Sequence, residues 1–257
     1  MNKSSSAGRA WITGGGTGIG RALALLLAGQ GWQVVVSGRR REPLDEVVAQ
    51  AEAGSIVPVV CDVTDLTAVR DAVRIIESEH GPLDLAVLNA GIYAPYDARE
   101  FGAEYFREVN EVNYMGVIHG IDAVFPYFKQ RGRGQIGVVA SVAGYMGLPM
   151  SGPYGASKAA LINLCESLKF DFDQLGIRLS VINPGFIRTP LTDQNKFRMP
   201  FLAEPEDMAK AIWAGLQRGD FEITYPKRLA YPLKALRHLP YRLFFPLVRR
   251  GLGARQK

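Results

Sequence analysis

A chain of 257 residues can bury the core of one large α/β domain, and 47% hydrophobic against 21% charged residues is an ordinary balance for a water-soluble globular protein. No run approaches the roughly 18 apolar residues of a membrane span, and the start, residues 1–9, lacks the apolar stretch of a secretory signal. The net charge of +5 belongs to the end of the chain: residues 221–257 hold nine Lys or Arg against Glu222 alone, a surplus of +8 that leaves the remainder near −3. No nucleic-acid-binding motif accompanies these bases, so no nucleic-acid partner is expected. Cys61 and Cys165 stand far apart without a CxxC or Cys/His cluster, as reduced core thiols of a cytoplasmic protein do, and no metal site is expected.

The first strand, residues 10–13, runs into Thr13-Gly14-Gly15-Gly16-Thr17-Gly18-Ile19-Gly20 and a helix over 19–28. Glycines let the backbone turn tightly and approach a pyrophosphate, whose charge meets backbone N–H groups and the helix dipole. Placed between strand and helix, this stretch reads as a dinucleotide cradle contacted through Gly14, Thr17, Gly18, Ile19 and Gly20. The second strand, 32–36, leads to Ser37-Gly38-Arg39-Arg40-Arg41, with no acid at its tip. A carboxylate there would bind both ribose hydroxyls of NAD, whereas arginine pairs with the 2′-phosphate of NADP. The expected cofactor is NADP(H), held by Arg39 with Ser37 as a helper; the plainer alternative is that the arginines solvate a loop.

Helices at 44–53, 66–79, 112–129, 156–174 and 205–218 alternate with strands at 56–61, 85–88, 136–140 and 179–182, and residues 221–225 are a candidate last strand. This order predicts an α/β, Rossmann-like doubly wound parallel sheet of about seven strands, with helices on both faces and ligands at the carboxyl ends of the strands. One domain over 1–225 would carry every site, followed by a basic, proline-interrupted amphipathic tail over 226–257. Near the start of the helix at 156–174, Tyr154 and Lys158 stand four residues apart and thirteen or more after Ser141. Positions i and i+4 share a helix face, so the Lys158 ammonium is expected to pull the Tyr154 phenol below its usual value near ~10, toward proton exchange at neutral pH.

With the glycine loop, Asn89-Ala90-Gly91, Asn113, Ser141, Tyr154-x-x-x-Lys158 and Asn183-Pro184-Gly185 all present in order, the chain resembles the short-chain dehydrogenase/reductase family over roughly residues 8–220. The resemblance implies a single domain with catalysis by Ser141, Tyr154, Lys158 and Asn113. Gly14, Gly18 and Gly20 match the family's cofactor turn, Asp62 and Val63 the positions facing the adenine, and Asn89 with Ala90 and Gly91 the segment beside the cofactor. Asn113 resembles the helix residue that holds a relay water, Ser141 the donor to the substrate oxygen and Tyr154 the acid/base. Lys158 resembles the residue on the nicotinamide ribose, and Ile187 and Thr189, after Pro184 and Gly185, those on the carboxamide.

The segments that line the substrate cleft in that family offer Tyr93, Tyr145, Met146, Leu148, Met150, Phe186, Phe197, Met199, Phe201 and Leu202, with Lys196 and Arg198 among the few charges. An apolar pocket of that kind suits a lipophilic ketone, aldehyde or long-chain alcohol. The function expected is hydride transfer between NADP(H) and a small hydrophobic carbonyl or secondary alcohol. The alternatives are a 3-oxoacyl-type reductase and a non-catalytic NADP-sensing regulator or scaffold. Prolines 226, 232, 240 and 246 are expected to cut the tail's helices short. The tail itself has three readings: a peripheral contact at the inner membrane surface, a lid over the substrate, or an arm in a homo-oligomer, dimer or tetramer.

Overall fold

Seven short runs rich in Val, Ile, Leu and Ala become the strands of one sheet: β1 (Arg9–Thr13), β2 (Gln33–Gly38), β3 (Ile56–Val60), β4 (Leu85–Leu88), β5 (Gly134–Val139), β6 (Ile177–Pro184) and β7 (Glu222–Tyr225). The computed structural model describes residues 7–195, 197 and 199–252; Lys196, Arg198 and the tail's residues 253–257 lie outside the described residues. The strand order is β3-β2-β1-β4-β5-β6-β7 with every neighbour parallel, the doubly wound sheet the alternation predicts. The order reverses between β1 and β4, which opens a crevice above their carboxyl ends.

Nine helices among the described residues cover the sheet: α1 (Gly18–Gly29), α2 (Arg41–Val48), α3 (Leu66–Ile75), α4 (Ala103–Asn110), α5 (Gly116–Arg131), α6 (Gly152–Gln174), α7 (Pro205–Arg218), α8 (Lys227–Leu236) and α9 (Tyr241–Leu252). On one face Leu23 and Leu27 of α1, Leu44 of α2, and Ile212 and Leu216 of α7 pack against Ile12, Val34 and Val36. On the other, Val69 and Val73 of α3, Val124 and Phe128 of α5, Leu161 of α6, and Leu229 and Leu233 of α8 pack with Trp11, Val35 and Ile136. Both faces are sealed, as a parallel sheet requires.

Two expectations need correction. The helix expected over 112–129 is α5, entered through a π turn at Glu111–Met115 that joins it to α4, which the periodicity missed. Pro232 and Pro246 lie inside α8 and α9 rather than ending them. Both prolines are on the exposed side, where water can satisfy the carbonyls they leave unpaired. Pro226 and Pro240 do stand at helix starts, Pro226 as the residue before α8 and Pro240 as that before α9.

Candidate active site

The glycine loop is fixed from both sides of the strand-order reversal. The Asn89 amide donates to the carbonyls of Thr13 and Gly14 at 2.9 and 3.1 Å, and the Thr13 hydroxyl accepts from the backbone of Asn89 and Ala90. Gly14 has φ +64°, and a Cβ there would lie 2.9 Å from the Ala90 backbone. Gly20 sits inside α1, where a Cβ would meet the Gly14 carbonyl at 2.4 Å; its role is close packing. Thr17 precedes α1 without a side-chain cap, so the first N–H groups of the helix face the crevice. The resulting cleft, about 210 Å³, is lined by Gly14, Thr17, Gly18, Ile19, Asn89, Ala90 and Gly91. Tyr154, Lys158, Pro184, Gly185, Ile187 and Thr189 close its other side. A glycine cradle, an uncapped helix start and this donor set fit a dinucleotide.

Five of the cofactor-binding candidates lie off this cleft, Gly20, Ser37, Arg39, Asp62 and Val63, as does the catalytic candidate Asn113. The helper role of Ser37 is corrected by the structure: its side chain is buried on the Trp11 face of β2, and its hydroxyl accepts from Trp11 Nε1 at 2.8 Å. Its carbonyl instead holds the glycine loop, accepting from Gly15 N at 3.0 Å. Arg41 is paired with Asp45 at 2.7 Å, while Arg39 and Arg40 are exposed with no ion pair among the described residues. Asp62 accepts from the backbone and hydroxyl of Thr64, and the Val63 carbonyl contacts His119 Nδ1 at 2.8 Å, so both shape the turn after β3.

Ser141 follows β5 and caps the short turn Val142–Gly144, its Oγ accepting from Ala143 N at 3.1 Å. Tyr154 and Lys158 stand in the first turns of α6, with Lys158 Nζ 5.6 Å from the Tyr154 ring centre. Lys158 is 3% exposed and donates to the Val139 carbonyl at 2.7 Å. Asn113 sits in the π turn, fully buried; its Oδ1 accepts from Ile92 N at 2.8 Å, and its Nδ2 donates to the Ile92 carbonyl and Ser157 Oγ. Both of its N–H donors are spent on protein, so the Asn113 side chain positions the Gly91–Ile92 segment beside Lys158.

The expected electrostatics are reversed. Burial pushes the Tyr154 phenol up to about 12, with the Ser141 hydrogen bond working against it, and burial lowers Lys158 to about 7. Lys158, with Nζ 5.6 Å from the ring centre, does not offset the desolvation of a phenolate. Tyr154 is therefore held as a neutral phenol, the form that donates a proton.

A second cavity, about 160 Å³ and mostly apolar, adjoins the cleft and shares Ser141, Tyr154 and Gly185 with it. Tyr93, Leu148, Met150, Phe186 and Phe197 line it as the sequence suggests. Tyr145, Met146, Met199, Phe201 and Leu202 do not: the turn after Ser141 folds the first two into the core, and the Tyr145 hydroxyl donates to Glu222 Oε1 at 2.7 Å. The sequence reading missed Leu229 and Leu233, which reach the cavity from α8. Their i, i+4 spacing directly after β7 is the signal that could have found them.

The profile of the short chain dehydrogenase family matches residues 9–199. An uncharacterised oxidoreductase of Myxococcus xanthus is 38% identical over 243 residues, spanning 94% of this chain and 96% of its own. Among solved structures, a short chain dehydrogenase/reductase from Burkholderia phymatum in complex with NAD superposes with a TM-score of 0.83 at 26% identity, over 91% of this chain and 93% of that one. A 3-ketoacyl-(acyl-carrier-protein) reductase from Brucella melitensis complexed with NADH gives 0.79 at 28%, over 86% and 98%. The chain belongs to the short chain dehydrogenase family of oxidoreductases.

Proposed function

We propose that the protein reduces an apolar ketone or aldehyde with NADPH, Tyr154 giving the proton. The observation that carries this reading is that Ser141 and Tyr154 line both the dinucleotide-shaped cleft and the apolar cavity, so their hydroxyls stand where the two compartments meet. The bound nicotinamide supplies a hydride to the carbonyl carbon. Ser141 and Tyr154 donate hydrogen bonds to the carbonyl oxygen as its negative charge grows, and the neutral Tyr154 phenol transfers its proton to give the alcohol. Lys158, aimed into the cleft wall beside Gly91, binds the ribose and supplies a cation when the tyrosinate forms. Arg39 and Arg40, exposed and without an ion pair among the described residues at the end of an acid-free β2, favour the phosphorylated cofactor, although two neighbours are described with NAD and NADH. The likeness to a 3-ketoacyl-carrier-protein reductase supports a second reading in which the carbonyl is that of a 3-oxoacyl thioester.

Fluorescence titration with NADPH and NADH, followed by turnover on medium- and long-chain ketones, aldehydes and a 3-oxoacyl thioester, tests all of this. The expected result is tighter NADPH binding with oxidation of the nicotinamide, and in Tyr154→Phe a loss of turnover of roughly 100-fold or more with cofactor binding retained. Binding with no turnover on any substrate favours the sensor or scaffold instead.

A further inference from the structure

The structure divides the tail between two tasks. The inner side of α8 is buried through Leu229, Ala230 and Leu233, and two of these residues wall the apolar cavity. Beyond it, α9 buries only Phe244 and Val248 among its described side chains, residues 241–250, while Tyr241, Leu243, Phe245 and Leu247 are 76%, 49%, 58% and 46% exposed. At 100° per residue the two buried positions form the middle of an apolar face, with Leu243 and Leu247 on one flank and Tyr241 and Phe245 on the other. Arg242, Arg249 and Arg250 occupy the opposite side. On α8, Tyr231 is also 55% exposed.

The middle of this face is already buried within the protein, and charge indicates what covers its exposed flanks. Lys227, Arg228, Arg237, Arg242, Arg249 and Arg250 are exposed and have no ion pair among the described residues; of the described bases in this segment Lys234 alone is paired, with Glu222, the one acid in residues 221–257. A second copy docking through this face about a two-fold axis would set one +8 segment against another. An anionic lipid surface accepts both halves of the pattern, the apolar side chains entering the acyl boundary and the bases remaining among the head groups. No helix among the described residues is long and apolar enough to cross a membrane, so the contact would lie in the interface plane.

We propose that α9, with the outer side of α8, is a docking surface for an anionic lipid bilayer, set on the same helical segment that walls the apolar cavity. This stands on the exposed face and its charge, and does not depend on which reaction the site performs. The test is cosedimentation of the full-length protein with phosphatidylcholine vesicles with and without about one third phosphatidylglycerol, at low and high salt. Binding to the anionic vesicles alone, weakened by salt, is expected. The triple variant Arg242→Glu/Arg249→Glu/Arg250→Glu should lower that partitioning by at least roughly tenfold, and Leu243→Ser/Phe245→Ser should lower it at any salt concentration. Unchanged thermal unfolding of both variants verifies that the fold is intact. Failure to bind anionic vesicles, or equal binding to neutral ones, overturns the proposal. So does assembly into a larger species that Leu243→Ser/Phe245→Ser abolishes, since a second copy would then be the occupant.

Discussion

Ser37 and Arg39 stand two residues apart at the end of β2, and the structure gives them different work. The Ser37 hydroxyl is the buried partner of Trp11 Nε1, so Ser37→Ala leaves an indole N–H unsatisfied in the core and should cost about 1–3 kcal/mol in denaturant unfolding. It should leave the ratio of NADPH to NADH affinity unchanged. Arg39 is exposed and holds no carboxylate among the described residues. A charge-assisted bond to the 2′-phosphate contributes about 1.5–3 kcal/mol, so Arg39→Ala should weaken NADPH binding by roughly 10- to 100-fold and leave NADH nearly unaffected. Equal loss for both cofactors would assign the arginine to the loop alone. The sequence shows the residue types at this tip but not that β2 extends to Gly38, and that extension turns the Ser37 side chain onto the sheet's Trp11 face.

The main elements were legible because a parallel sheet buries both faces, and its strands stand out as short apolar runs between amphipathic helices. Less visible was α8, whose bases and Pro232 made it resemble a detached tail, whereas only Leu229, Ala230 and Leu233 show its place in the core. Its position is fixed by Glu222 on β7, which accepts from Tyr145 and Asn183 and pairs with Lys234. Such a convergence of residues from three elements has no local sequence signature. Because Leu233 is both buried and part of the cavity wall, Leu233→Trp should shorten the cavity: kcat/KM for long-chain carbonyls should fall at least roughly tenfold relative to the shortest substrate. A uniform loss across chain lengths, accompanied by lowered thermal stability, would instead mark a packing defect.

For the molecule as a whole, the titration of Lys158 and Tyr154 makes stability depend on pH. Lys158 has an ordinary value of 10.5 and a folded value of about 7, so between these the unfolded chain holds the extra proton. The stability associated with neutral Lys158 is therefore present in full above about 10.5 and lost as pH falls toward 7, with a slope of at most about 1.4 kcal/mol per pH unit. Tyr154, Cys61 and Cys165 act in the other direction. Burial raises them to about 12, 11 and 12 from 10.0, 9.0 and 9.0, so the folded chain holds the extra protons and stability declines once pH passes about 9. The cofactor-free protein should consequently gain stability from about pH 7 to 9 and lose it above. Lys158→Met removes the titrating group while retaining most of its aliphatic bulk, and should flatten the rise while leaving the alkaline decline intact. Urea midpoints measured across that range for both proteins decide the matter: parallel curves would mean that water solvates the ammonium in the folded cleft, and that Tyr154 then has a full cation beside it from the outset.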